Sequence, residues 1–454
     1  MSEFYERFRA KKTERSERTE FTAPKQKLDR KRTHAHRHES AERKKFASLR
    51  RELFAENAIP AESREIIEHF DDIVSSVRNL SGKQKVALYG KIKNLSHQLT
   101  DDRGSRRLGY MNEAASISAY ISYFMWWNLV RMTRLFANLP KSAFESLAKS
   151  EKPVALDVGS GTLTVVIALW LARPELRSKK INWYCLDLSQ TALSAGEELY
   201  LAIAAKTLSE NAEPWNIIRV KGALGISIKE KADFIACANV FNEILQRNEQ
   251  PTDFLAKKYT GDLLSYLKSE DSAVLLVEPG DPHSARFISL MRDALIRRDF
   301  LPVAPCTHTA ECPMAGRTNG RTTNAQGKNA KWCNFAFDTE NAPSRLLKLS
   351  EKAGLAKERA SLSFVISKKF AESVKNQNGE QETRSEKTFI RIASDFIRLP
   401  DLHKSGYYAC SELGLLLAID EHHIQPKNGE LLQIKTPEYL DEIDKKSGGI
   451  IVKL

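Results

Sequence analysis

A chain of 454 residues, 42% hydrophobic and 28% charged, is long enough for two or three domains with sizeable cores and has the make-up of a soluble globular protein. Its longest apolar run, Ile117 to Val130, is too short to span a bilayer and contains Asn128, and its opening residues hold glutamates and no apolar secretory stretch; the expectation is a cytoplasmic protein with no membrane partner. Formal net charge is +12, and residues 1–50 alone supply +8 of it, with 16 Lys and Arg against 8 Asp and Glu.

Residues 1–45 read as a basic disordered tail, since they offer too little apolar surface to fold alone. Their charge suits a polyanion such as RNA, whose counterions they displace; a solvated segment that only aids solubility is the plain alternative. Residues 46–147 read as a helical N-terminal domain. Apolar positions there recur every three or four residues, as in Leu49, Leu53, Phe54 and Ile66, Ile67, Phe70, Ile73. The run "ISAYISYFMWWNLV" is expected to be a buried aromatic helix. From 148 to 370 the pattern changes to short apolar strands ("VALDVG", "INWYCLDL", "NIIRVKG", "ADFIACANVF", "SAVLLVEPG") alternating with helices, which predicts an α/β, doubly wound Rossmann-like sheet. "CNFAFD" and "LSFVISKK" read as antiparallel strands that finish it. A polar linker follows at 371–387. Residues 388–454, with "FIRIASDFIRLP", "SGYYACSELGLLLAI" and "GELLQIK", read as a small C-terminal β domain of barrel-like character.

The first strand-to-helix turn, "LDVGSGTLTVV", carries Asp157, Gly159, Ser160 and Gly161. Glycines there let the backbone approach a ligand, and the helix start offers free N–H donors, although Gly also serves such turns for geometry alone. Asp187 ends the second strand, 26 residues after Gly161, where an acid can accept both hydroxyls of a ribose. "CANVFNEI" ends the fourth strand with Asn239. Together these runs resemble class I S-adenosylmethionine-dependent methyltransferases. The resemblance implies Asp157 and Gly159-Ser160-Gly161 around the methionine moiety, Asp187 on the ribose and Asn239 near the sulfonium. Two features depart from that pattern: Leu163 stands at the third glycine position, and no acid follows the third strand. No Pro-Pro-aromatic acceptor motif follows the fourth strand either. Glu243 reads as a helix-capping carboxylate or a base, and no catalytic residue is assigned.

Of six cysteines, Cys185 and Cys237 lie in apolar strands and read as small core residues. Cys306, Cys312, Cys333 and Cys410 fall in turn-like contexts. Four thiolates ligate either zinc or an iron–sulfur cluster. The spacing is not that of a zinc ribbon, unrelated free thiols remain an equal alternative, and His308 is a substitute ligand or a solvated loop residue. "VEPGDPHSARFISLMRDAL", "APCTHTAECP", "WCNFAF" and "KSGYYACSELG" resemble a methyltransferase-like family of small-ribosomal-subunit factors, best known from the mitochondrial ribosome and with bacterial relatives. That resemblance implies a [4Fe–4S] cluster on the four cysteines and association with small-subunit rRNA during assembly. The insertion between Cys312 and Cys333 departs from the family's compact spacing, and with Arg317, Arg321, Lys328 and Lys331 it reads as a basic rRNA-touching loop or a disordered one. The expectation is a protein that binds S-adenosylmethionine and a cluster, acts on the small subunit with weak or absent methyl transfer, and is a monomer off the ribosome. An active rRNA methyltransferase and a zinc-stabilised interaction module with a vestigial methyltransferase domain are the alternatives.

Overall fold

The computed structural model describes residues 50–100, 110–209, 212–268, 271–316, 331–369, 387–400, 403–437 and 440–454. The basic tail, most of the insertion after Cys312 and the polar linker lie outside these residues.

Five strands form the parallel part of the main sheet: β1 Val154–Val158, β2 Asn182–Asp187, β3 Asn216–Lys221, β4 Phe234–Ala238 and β5 Ala273–Glu278. They lie side by side as β3-β2-β1-β4-β5. β1 and β5 are buried at every position. A parallel strand covered on both faces must be apolar throughout, and this is why "VALDV" and "AVLLVE" lack polar alternation. β6 Phe300–Ala304, β7 Phe335–Asp338 and β8 Arg359–Lys369 complete eight strands. β8 runs antiparallel to β5, β6 and β7, giving the order β3-β2-β1-β4-β5-β8-β6 with β7 also on β8. β6 is not legible in the sequence because Pro302 interrupts it. As an edge strand with a register shift between Pro302 and Ala304, it tolerates the missing N–H.

The N-terminal helices include Ala61–Glu68, Phe70–Val77 and Gly82–Thr100. The aromatic run is helical as expected: Ala114–Ala119, a π-helical stretch Tyr120–Met125, then Trp126–Asn138. Trp126, Trp127, Leu135 and Phe136 of these helices share one continuous core with Val166, Leu169 and Trp170 of the helix Thr164–Ala172 after β1 and with Ala155, Trp183 and Phe234 on one face of the sheet. Ser63 donates to the carbonyl of Leu171 at 2.7 Å across that contact.

At the C-terminus, β9 Lys387–Ile392, β10 Ile397–Leu399, β11 Lys404–Ser411, β12 Gly414–Asp420, β13 Leu431–Lys435 and β14 Ile450–Lys453 build a separate six-stranded sheet. Its order is β13-β9-β11-β12-β14, with β10 on β11 and a core of its own. An N-terminal strap crosses to this sheet. Arg51 and Leu431 exchange backbone hydrogen bonds at 3.1 and 2.9 Å, and the Arg50 guanidinium is paired with the buried Glu430 carboxylate. Among the described residues no helix is long and apolar enough to cross a membrane.

Candidate functional site

The carboxyl ends of β1, β2, β4 and β5 bring together residues that lie far apart in the chain. β1 delivers Asp157 and then turns sharply: Gly159, Gly161 and Leu163 all take positive φ (69°, 51° and 58°). The N–H groups of Gly159 and Ser160 donate to the carbonyl of Leu186 at 2.7 and 3.0 Å, which ties the turn to the end of β2. Asp187 closes the tie, since one carboxylate oxygen accepts from Gly161 N at 2.9 Å and the other from Ser189 N at 2.8 Å. On the other side the turn touches the loop after β4, where a Cβ on Gly159 would lie 2.1 Å from Val240 Cγ2. Asn239 heads that loop in a left-handed conformation, φ 57°, with its N–H on the carbonyl of Val277 at 2.8 Å. A non-glycine residue with positive φ is uncommon and is held here by its surroundings.

Asp157 stands out electrostatically. It is 1% exposed, and neither carboxylate oxygen has a hydrogen-bond partner. Burial pushes its pKa up to about 8; the adjacent Ser160 hydroxyl, which donates to the backbone carbonyl of Asp157 at 2.7 Å, opposes the rise, and the charge of Asp187 adds to it. A buried carboxyl without a donor is costly, because nothing replaces the water it lost.

Glu278, at the end of β5, was not singled out from the sequence. Its carboxylate accepts from the backbone N–H groups of Val240, Phe241 and Asn242 at 2.9, 2.8 and 3.1 Å, and so fixes the loop that Asn239 heads. Burial raises its pKa to about 8, and the three donors oppose that rise. Glu278 thus caps the start of the short helix Phe241–Ile244. The available signal was a lone acid ending an otherwise apolar strand.

The cysteine segment lies beside β8 and the C-terminal sheet. Cys306 follows β6, and its Sγ accepts from Arg292 Nε at 3.2 Å. Arg292, on the helix Pro282–Ile296, also donates to the carbonyl of His308 at 2.7 Å. The insertion does not separate Cys312 from Cys333. Ala315 and Trp332 form an antiparallel bridge, Cys333 N donates to Met314 O at 3.0 Å, and Gly316 N donates to Lys331 O at 3.0 Å, so the described residues on either side of 317–330 are held together. Of the four basic residues noted there, Lys331 is described, its ammonium 4.3 Å from the centre of the Tyr408 ring; Arg317, Arg321 and Lys328 lie outside the described residues. Cys410, on β11, pairs across the sheet with Arg391 on β9. Arg391 in turn donates to the carbonyl of Pro305, next to Cys306, at 2.9 Å and to Gly429 O at 2.9 Å.

The four sulfurs are near enough for their charges to act on one another. Burial pushes the thiols of Cys333 and Cys410 well up, and charge on the neighbouring sulfurs adds to it: Cys312, Cys410 and Cys306 for Cys333, and Cys306 and Cys312 for Cys410. The imidazole of His308 is lowered to about 4 by burial and by Arg292, and its Nδ1 is buried without a partner. Among the described residues no three His, Cys, Asp or Glu side chains are grouped as ligands of a single metal ion. Cys185 and Cys237 are fully buried in β2 and β4.

The strand order, five parallel strands followed by an antiparallel hairpin partner, defines a Rossmann-like methyltransferase sheet. The chain matches the family described as mitochondrial small ribosomal subunit Rsm22 over residues 125–393, more than half of its length, and it belongs to that family. No curated relative matches it. Solved structures similar to it include precorrin-6y C5,15-methyltransferase from Geobacter metallireducens, at 10% identity and TM-score 0.28, covering 50% of this chain and 85% of that one. Magnesium protoporphyrin IX methyltransferase from Synechocystis, with S-adenosylmethionine bound, matches at 13% identity and TM-score 0.28 over 48% of this chain and 90% of the other. A methyltransferase from Thiobacillus denitrificans in complex with S-adenosylhomocysteine matches at 12% identity and TM-score 0.28 over 50% and 90%. At likeness this low the fold rests on the chain's own strand order.

Proposed function

We propose that this chain binds S-adenosylmethionine at the carboxyl ends of β1, β2 and β4 and acts on the small ribosomal subunit in contact with its rRNA, as a cytoplasmic factor. The observation that carries the cofactor half is the orphaned, buried Asp157 carboxylate beside a turn that only glycine fits. A ligand with an ammonium group at that point supplies the missing donor. Asp187 keeps lone pairs for a ribose diol while the N–H groups of Gly161 and Ser189 hold it in place. When bound, S-adenosylmethionine supplies an electrophilic methyl group. The chain's own part is to position it and exclude water. Family membership supports the ribosomal half.

Cys306, Cys312, Cys333 and Cys410 would hold a [4Fe–4S] cluster, whose chemistry here is a tie between the two sheets. The chemistry of the donor set supports this reading: four buried or half-buried thiols whose charges act on one another, with the Arg292 guanidinium on Cys306 and Arg391 opposite Cys410. Tetrahedral zinc, with bonds of about 2.3 Å, needs sulfurs about 3.8 Å apart. A four-iron cube spreads its ligands wider, and iron, sulfide and zinc content of the anaerobically purified protein tells the two apart.

Calorimetry with S-adenosylmethionine, together with methyl incorporation into small-subunit rRNA, tests the reading. Binding without incorporation is the expected result, absence of binding overturns the cofactor half, and incorporation establishes an active rRNA methyltransferase. Asp187→Ala is expected to weaken binding by about 1.5–3 kcal/mol, the cost of a lost charge-assisted acceptor; unchanged heats count against the site. Asp157 gives a pH signature. Its folded pKa lies above the unfolded value of 3.8, so its contribution to stability is complete below pH 4 and fades as pH rises through about 8. At pH 7 it is mostly protonated, and an arriving ammonium favours the carboxylate. Binding at pH 7 should therefore release nearly one proton, seen as heats that depend on buffer ionisation enthalpy. Asp157→Asn should abolish that dependence, and an equal release from the variant would place the proton elsewhere.

A further inference from the structure

The proposed centre is flanked by two buried guanidinium groups from different parts of the fold. Arg292 belongs to the helix between β5 and β6 and is 2% exposed; Arg391 belongs to the C-terminal sheet and is 6% exposed. Arg292 has a carboxylate, Asp293 Oδ1 at 2.7 Å, as well as Cys306 Sγ at 3.2 Å. Arg391 has neither. Its hydrogen bonds are to two neutral carbonyls, Pro305 O and Gly429 O, both at 2.9 Å. It pairs in the strand register with Cys410, and among the described residues no carboxylate forms an ion pair with it. A buried charge with no counter-ion is among the most costly arrangements in a protein interior. The groups in position to supply negative charge to Arg391 are the sulfurs: Cys410 opposite it, and Cys306 one residue beyond the carbonyl it holds.

We propose that Arg391 is the counter-charge of an anionic four-sulfur centre and, with Arg292, sets how much negative charge that centre carries. This rests on the four-cysteine reading above. A centre ligated by four thiolates has net charge −2 with either an oxidised four-iron core or a divalent zinc ion; Arg292 is already partnered by Asp293, so Arg391 is the flanking cation whose charge is left for the centre. In an iron–sulfur centre, taking up one electron adds a further negative charge. A guanidinium held in a dry site favours that added charge and raises the reduction potential. Arg391 also orients, since its two carbonyl contacts fix the backbone just before Cys306 relative to the turn before Glu430. Its role is therefore positioning and electrostatic tuning, and it does not ligate.

The test uses the full chain as wild type, Arg391→Gln and Arg391→Lys, each reconstituted anaerobically with ferrous iron and sulfide. Iron and sulfide content and the midpoint potential, followed by electron paramagnetic resonance, are the readouts. Arg391→Gln keeps a donor and loses the charge; Arg391→Lys keeps the charge and loses the fork. With wild-type iron content, the Gln variant is expected to be about tenfold less reduced at the wild-type midpoint, about 59 mV for a one-electron couple, while the Lys variant stays near wild type. Loss of iron by the Gln variant alone also supports the charge role. Equal midpoints in all three proteins overturn it, as does equal loss of iron from both variants, which would mark a role in shape only. If the wild type takes up zinc and neither iron nor sulfide, the iron–sulfur reading fails by itself. Chelator competition then decides the Arg391 proposal: a tenfold or greater loss of zinc affinity in Gln and not Lys supports it, and equal affinities overturn it. A wild-type chain that binds neither metal overturns both.

Discussion

Cys410→Ser is expected to strip iron and sulfide from the reconstituted protein, bleach its visible absorbance and loosen the C-terminal sheet. The serine oxygen is a poor replacement for a thiolate, and Cys410 is the sulfur that β11 contributes from that sheet. A ligand bound only by the folded state at a thousand times its Kd stabilises by about 4 kcal/mol, so a loss of that order should appear in urea or thermal unfolding. Detachment should be incomplete. The Arg50–Glu430 ion pair, the Arg51–Leu431 bridge and the Lys331–Tyr408 contact do not depend on the sulfur. Hydrogen exchange should thus quicken in β9 and β11 first, while β13 stays protected by the strap. Cys185→Ala is the control, a fully buried thiol in β2 whose loss leaves the iron in place. Wild-type iron content in the Cys410 variant would remove this residue from the ligand set.

Gly159→Ala should abolish S-adenosylmethionine binding while leaving the chain folded. The added Cβ would sit 2.1 Å from Val240 Cγ2, far inside contact distance, and the residue holds φ 69°. A left-handed alanine costs about 1–2 kcal/mol, and overpacking of this kind typically about 1–3. Val240 cannot yield cheaply, because its own N–H is held by Glu278. Relief must come from the turn itself, which moves Ser160 and Gly161 away from Leu186 and Asp187. The expected result is a destabilisation of roughly 2–4 kcal/mol and a loss of affinity beyond a hundredfold, the latter read by calorimetry. An alanine variant that binds normally would show that the ligand does not use this turn.

The main sheet was legible because parallel strands buried on both faces must be written as unbroken apolar runs, and β1, β4 and β5 are. β6 was hidden by Pro302, and β14, four residues in a segment without alternation, offered no pattern to read. Within the site, Asp157, Gly159 and Asp187 were recognisable from their places at strand ends. That Asp157 has no partner was not, because a missing donor is a property of three-dimensional surroundings. Glu278 looked like the last residue of a strand, and its three backbone partners come from a loop about forty positions earlier. The distance between Cys312 and Cys333 misled for a related reason. Chain length between two residues says little once a bridge such as Ala315–Trp332 closes the excursion at its base. Arg391 sits in "FIRIAS", where alternation alone would give it no special place, and its carbonyl partners identify it.

The strap that joins Arg50 to Glu430 spans 380 positions. During synthesis at about 5–20 residues per second, roughly 20 to 75 s pass between the appearance of one partner and the other. Phe54 gains its partner Phe337 earlier, but throughout that interval Leu53, buried in the finished fold, lacks the cover of the turn at Gly429. The newborn polypeptide therefore carries an unsealed apolar seam until translation is nearly over, which makes it a natural client for holding chaperones and makes early termination products prone to clump.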